Sequence, residues 1–107
     1  MELTNDSEKL LCLLYKSYLE KRRNGTPKSN AKRFGSSHYI HENLCPKWTF
    51  EDVDETCREL SRANMLDCLW ADNIAYYVSL SDSAIVYMEN RFKNGLLDVV
   101  KFLGNFI

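Results

Sequence analysis

Glycine and proline are scarce in this chain, four and two among 107 residues, and histidine occurs twice. The glycine-rich loops that cradle phosphates or dinucleotides are missing, as are a Gly-x-Ser-x-Gly nucleophile elbow and a His-Glu-x-x-His metal motif. No cofactor and no enzymatic activity are therefore implied. The four cysteines, Cys12, Cys45, Cys57 and Cys68, include no Cys-x-x-Cys pair, which removes the usual zinc-knuckle and redox signatures. Long hydrophobic runs are also absent. The terminal stretch Leu96 to Ile107 is rich in apolar side chains but carries Asp98 and Lys101, and it falls short of the roughly 18 apolar residues that a membrane span needs. Charge of one sign is lacking too. Fourteen Lys plus Arg stand against fifteen Asp plus Glu, a net charge of −1, so any attraction to nucleic acid or anionic lipid has to come from a local patch.

What is present describes an ordinary globular domain. Hydrophobic residues make up 45% and charged residues 27%, which argues against disorder, and 107 residues suffice for one core, a single domain over 1–107. The start, Met1-Glu2-Leu3-Thr4-Asn5-Asp6, has no basic segment followed by an apolar one, and the chain reads as cytoplasmic with its cysteines as buried, reduced thiols. It stops at Asn105-Phe106-Ile107 without a polar tail, as a segment cut from a longer chain would.

Apolar spacing predicts a first helix over residues 5–23, capped by Asn5 with Glu8 three positions on and ended by Asn24-Gly25 and Pro27. Residues 29–44 read as a shorter helical stretch interrupted at Gly35-Ser36-Ser37. Thr49 with Asp52, and Trp48 with Val53, mark the start of a third helix over about 50–64. From Leu66 the period shifts to two. Leu66–Trp70 and Ile74–Leu80 then read as a hairpin about Asp72-Asn73, with Tyr76 and Tyr77 on opposite faces. Ser81 or Asp82 caps a further helix, and the segment 93–107 follows as an apolar helix that packs or dimerises.

The order α-α-α-β-β-α is mainly α with a two-stranded hairpin, a winged helix-turn-helix with the hairpin as its wing. The stretch from Glu59-Leu60-Ser61-Arg62-Ala63-Asn64-Met65-Leu66 through Tyr77-Val78-Ser79-Leu80-Ser81-Asp82-Ser83-Ala84-Ile85-Val86-Tyr87-Met88-Glu89 resembles the end of the third helix, the wing and the following helix of small bacterial winged-helix proteins. Those proteins open the last of these helices with Leu-Thr-x-x-Gly; here Ala84 stands where glycine is usual. The resemblance covers about residues 5–92. It implies a DNA-binding regulator whose third helix and wing read the duplex.

The charges redirect that expectation. The third helix carries Glu51, Asp52, Asp54, Glu55 and Glu59 against Arg58 and Arg62, so it would repel phosphates at its amino-terminal turns. Between positions 16 and 33, Lys16, Lys21, Arg22, Arg23, Lys28, Lys32 and Arg33 meet only Glu20. Lys21, Arg22, Arg23, Lys28, Lys32 and Arg33, with Arg58 and Arg62 secondary, are accordingly the candidate contacts to double-stranded DNA. The competing expectation is a protein-interaction module. Its partner would be another protein or a second copy, met through the acidic third helix, Trp70 and the apolar Leu96, Val99, Val100, Phe102, Leu103 and Phe106. His38, His41 and Cys45 share a helical face but lack a fourth ligand, and no metal site is expected. The aromatics of the hairpin would suit stacking with single-stranded bases, but no basic strand accompanies them in the sequence.

Overall fold

A computed structural model describes residues 2–105, and among these the element order is α1 (Asn5–Arg23), α2 (Lys28–Ala31), β1 (Arg33–Gly35), α3 (Ser37–Leu44), α4 (Phe50–Arg62), β2 (Leu66–Ala71), β3 (Ile74–Leu80), α5 (Asp82–Arg91) and α6 (Leu96–Gly104). Six helices and a three-stranded antiparallel sheet of order β1-β3-β2 replace the expected α-α-α-β-β-α order with its two-stranded hairpin. The expected class, a winged helix-turn-helix, is corrected accordingly to a mainly α chain with a small sheet. The correction originates in the segment 28–35. Helix α2 stops after one turn at Ala31, Arg33–Gly35 pairs along β3, and the φ of +74° at Gly35 then turns the chain into the Ser36 cap of α3.

The long helices have clear local causes. Thr4, not Asn5, caps α1: its Oγ1 accepts the Ser7 N–H at 3.1 Å, with Asp6 and Glu8 in the first turn and Lys21, Arg22 and Arg23 in the last. Thr49 Oγ1 accepts the Asp52 N–H at 3.1 Å to start α4, which ends with Asn64 in the left-handed region at φ +61°. Asp72 and Asn73, at φ +52° and +63°, form the two-residue turn whose twist suits a β-hairpin. Ser81 Oγ accepts the Ala84 N–H to begin α5 and donates to Asn64 O at 2.7 Å, tying that helix to the end of α4.

The core runs through Leu10, Leu11, Leu14 and Tyr15 of α1, Ile40 of α3, Val53 and Leu60 of α4, Val78 and Leu80 of β3, and Ile85 and Met88 of α5, all buried. Each such aliphatic side chain contributes about 2 kcal/mol by leaving water. Helix α6 folds back on α1. Val99 is fully buried there, Phe102 meets Phe92 edge-on at 5.6 Å, and Arg91 lies over Phe102 at 4.4 Å while pairing with Glu8.

Candidate nucleic-acid interface

Six cations were expected to face solvent together, and the fold sorts them into two groups. Lys21 turns inward: its Nζ donates to Arg33 O at 2.9 Å and Ala31 O at 3.4 Å and lies 4.1 Å from the centre of the Phe34 ring. Burial lowers its pKa, because the ammonium loses hydration that two carbonyls only partly replace. Lys32 pairs with Asp82 at 3.1 Å. Both are structural ties. Arg22 donates to Thr26 O at 3.2 Å without meeting a carboxylate, and Arg23, Lys28 and Arg33 are exposed without an ion-pair partner among the described residues. Since Lys21 bonds the carbonyls of Ala31 and Arg33, the end of α1, the one-turn α2 and β1 fold about one lysine. The four uncompensated cations therefore share one corner at the β1 edge of the sheet.

The cations on α4 are engaged differently. Arg58 bonds Asp54 Oδ2 at 3.4 Å and Asn73 O, and its guanidinium lies 4.3 Å from the centre of the Trp70 ring. Asp54 in turn accepts from Ser37 Oγ at 2.9 Å and from the Ala75 N–H at 3.0 Å, and Ser37 also donates to Ala75 O at 3.1 Å. This buried network clamps the hairpin tip against α3 and α4. Arg62 is exposed but lies 3.8 Å from Glu55. Glu59 also serves the fold, accepting from Thr4 Oγ1 at 2.8 Å and Ser7 Oγ at 2.7 Å. What α4 presents to solvent is chiefly Glu51, Asp52 and Glu55.

The expected apolar contact residues divide as well. Val99 belongs to the core, while Leu96, Phe102 and Leu103 are half-buried, the last two packed against that core. Val100 is exposed, as is Leu97, which the sequence reading passed over. Trp70 carries Arg58, and Phe106 lies outside the described residues.

One further surface takes its shape from the strand register. Strands β2 and β3 pair Leu69 with Tyr77 and then Trp70 with Ala75, so Tyr76 is the extra residue of a β-bulge. A bulge of this kind turns two successive side chains the same way, which corrects the expectation that Tyr76 and Tyr77 face apart. Val78 and Leu80 point into the core, whereas Leu69, Tyr76 and Tyr77 lie on the outer face, with Leu69 56% and Tyr76 50% exposed. Arg33 pairs with Ser79 and Ser79 with Asp67, so arginine and aspartate stand at opposite margins of that face.

The two histidines and the buried cysteines are committed to the fold. His38 stacks on Phe50 with ring centres 4.0 Å apart, His41 Nε2 bonds Trp48 O at 2.7 Å, and Cys45 Sγ donates to Ile40 O at 3.7 Å. Burial pushes the thiols of Cys45 and Cys68 up to about 11 and that of Cys12 to about 12, so these sulfurs are poor nucleophiles at neutral pH. Among the described residues no group of three or more His, Cys, Asp or Glu converges to hold a metal, and no helix is long and apolar enough to cross a membrane. No protein-family model, curated protein or solved structure matches this chain.

Proposed function

We propose that this protein is a non-catalytic nucleic-acid-binding module that grips the phosphate backbone with Arg22, Arg23, Lys28 and Arg33. One observation carries the reading: of the exposed cations that meet no carboxylate among the described residues, Arg22, Arg23, Lys28 and Arg33 belong to the β1 corner, whereas Lys47, Lys93 and Lys101 stand singly on other segments. Helix α4, with its acidic solvent side, points to backbone contact and against insertion of that helix into a groove. In a duplex the same corner meets phosphates, and a regulatory role in transcription is the extension of that reading.

The reading is checked by fluorescence anisotropy with a random-sequence duplex. Four phosphate contacts give a log–log salt slope of roughly −3.6 for duplex DNA, and losing two of them, as in Arg23→Gln with Lys28→Gln, brings it to roughly −1.8. Absence of binding to duplex and single-stranded DNA alike at roughly 50 mM salt would remove the proposal.

A second reading rests on Leu97 and Val100, exposed by 59% and 46% one turn apart on α6: they would seat another chain, a second copy included. Sedimentation at micromolar concentration tests it, and a strictly monomeric species together with no effect of Leu97→Glu on any binding would end it.

A further inference from the structure

Beyond its four cations, the β1 corner is continuous with an uncovered aromatic surface. Arg33 stands on the outer face of the sheet opposite Ser79, and Tyr77 lies two residues back along β3 on that face. The two positions are separated by one strand spacing of about 4.8 Å and a rise of about 6.6 Å. Tyr76 adjoins Tyr77 at the bulge, and exposed Leu69 faces Tyr77 from β2. A basic strand flanking the aromatics is missing from the linear sequence around the hairpin. The fold supplies one cation in its place, Arg33, by pairing β1 against β3.

The geometry points to single-stranded DNA as the ligand of this face, phosphates lying along Arg23, Lys28 and Arg33 and bases stacking on Tyr76 and Tyr77 beside Leu69. This assignment rests on the phosphate-binding reading above and narrows it. A duplex keeps its bases stacked on one another and offers nothing to an exposed tyrosine plane, whereas an unpaired strand offers both a backbone and open π-faces. The charge order across the sheet fixes the direction of the strand's approach. Arg33 lies at the β1 margin and Asp67 at the β2 margin, so the backbone follows β1 and the bases reach inward over β3. The half-buried Tyr77 forms the floor and the exposed Tyr76 the wall.

The test compares fluorescein-labelled (dT)20 with a 20-base-pair duplex on the full chain at 50 mM salt. The assignment predicts at least tenfold tighter binding of (dT)20. Tyr76→Ala is expected to weaken (dT)20 by roughly tenfold, the scale of one lost base stack, and to leave the duplex within twofold. Tyr77→Phe keeps a stacking plane and is expected to retain affinity, which guards against reading a packing defect as lost stacking. Duplex binding as tight as (dT)20, or a Tyr76→Ala protein that binds (dT)20 unchanged, overturns the single-strand assignment and leaves the phosphate grip standing. Binding of neither probe overturns both. Tenfold preference for (rU)20 over (dT)20 would transfer the ligand to RNA and overturn the assignment to DNA.

Discussion

Asp54 is the acid whose removal should cost the fold most. Its carboxylate accepts from the Ser37 hydroxyl and the Ala75 N–H and also faces Arg58, so Asp54→Ala leaves the buried Ala75 N–H unpaired, leaves Ser37 only the Ala75 carbonyl to bond, and leaves a partly buried guanidinium without its counter-charge. A loss of about 3 kcal/mol is expected, read as a fall in Tm of more than about 10 °C in thermal melts. A variant melting within 3 °C of the parent would show that the network does not clamp the hairpin. The thiols set a pH limit. Cys12 and Tyr15 are pushed up to about 12 and Cys45 and Cys68 to about 11, in each case chiefly by burial, from ordinary values of 9.0 for thiols and 10.0 for tyrosine. Above pH 9 the unfolded chain releases thiol protons that the native state keeps, so stability present below pH 9 is lost as the pH rises towards 11 or 12. Lys21, with its lowered pKa, runs the other way as a single group against several. Melts in reductant should give a level Tm from pH 7 to 9 and a decline by pH 10.5; a rise across that interval would contradict the assignment.

At the level of elements, capping chemistry and apolar period marked α1, α4 and α5 in the sequence, because the groups that start and stop a helix lie within four residues of its ends. Strand β1 could not be found that way. Three residues ending in glycine have no period, and Arg33–Gly35 is a strand only because β3 offers partners 43 and 46 positions later. The bulge at Tyr76 has the same origin, since it exists only in the register of β2 against β3. The candidate site was half legible for this reason: the sequence displayed the cationic run, but only the pairing joins it to the tyrosines. The hairpin turn provides a local test. Asn73 sits at φ +63°, and Arg58 uses its carbonyl, not its side chain. Asn73→Gly should relieve the left-handed conformation without touching that bond and raise stability by about 0.5 kcal/mol, whereas a β-branched residue there should lower it. Chemical denaturation midpoints separate the two outcomes; destabilisation by glycine would mean that the Asn73 side chain contributes more than its backbone.

Across the whole molecule the net charge of −1 conceals a separation, with uncompensated cations at the β1 corner and Glu51, Asp52 and Glu55 on α4. A polyanion approaching the corner feels the α4 carboxylates only through solvent, and their effect is screened beyond about 8 Å at 0.15 M salt. Converting Glu51 and Glu55 to glutamine should therefore tighten nucleic-acid binding by a few-fold at 10 mM salt, where the screening length reaches about 30 Å, and by less than twofold at 0.15 M. Glu51 makes no ion pair among the described residues, and Glu55 meets only exposed Arg62, so the double variant should fold normally. The contrast in salt response separates a distant field from contact. A gain of tenfold or more persisting at 0.15 M would put α4 against the phosphates and move the binding surface from the β1 corner to that helix.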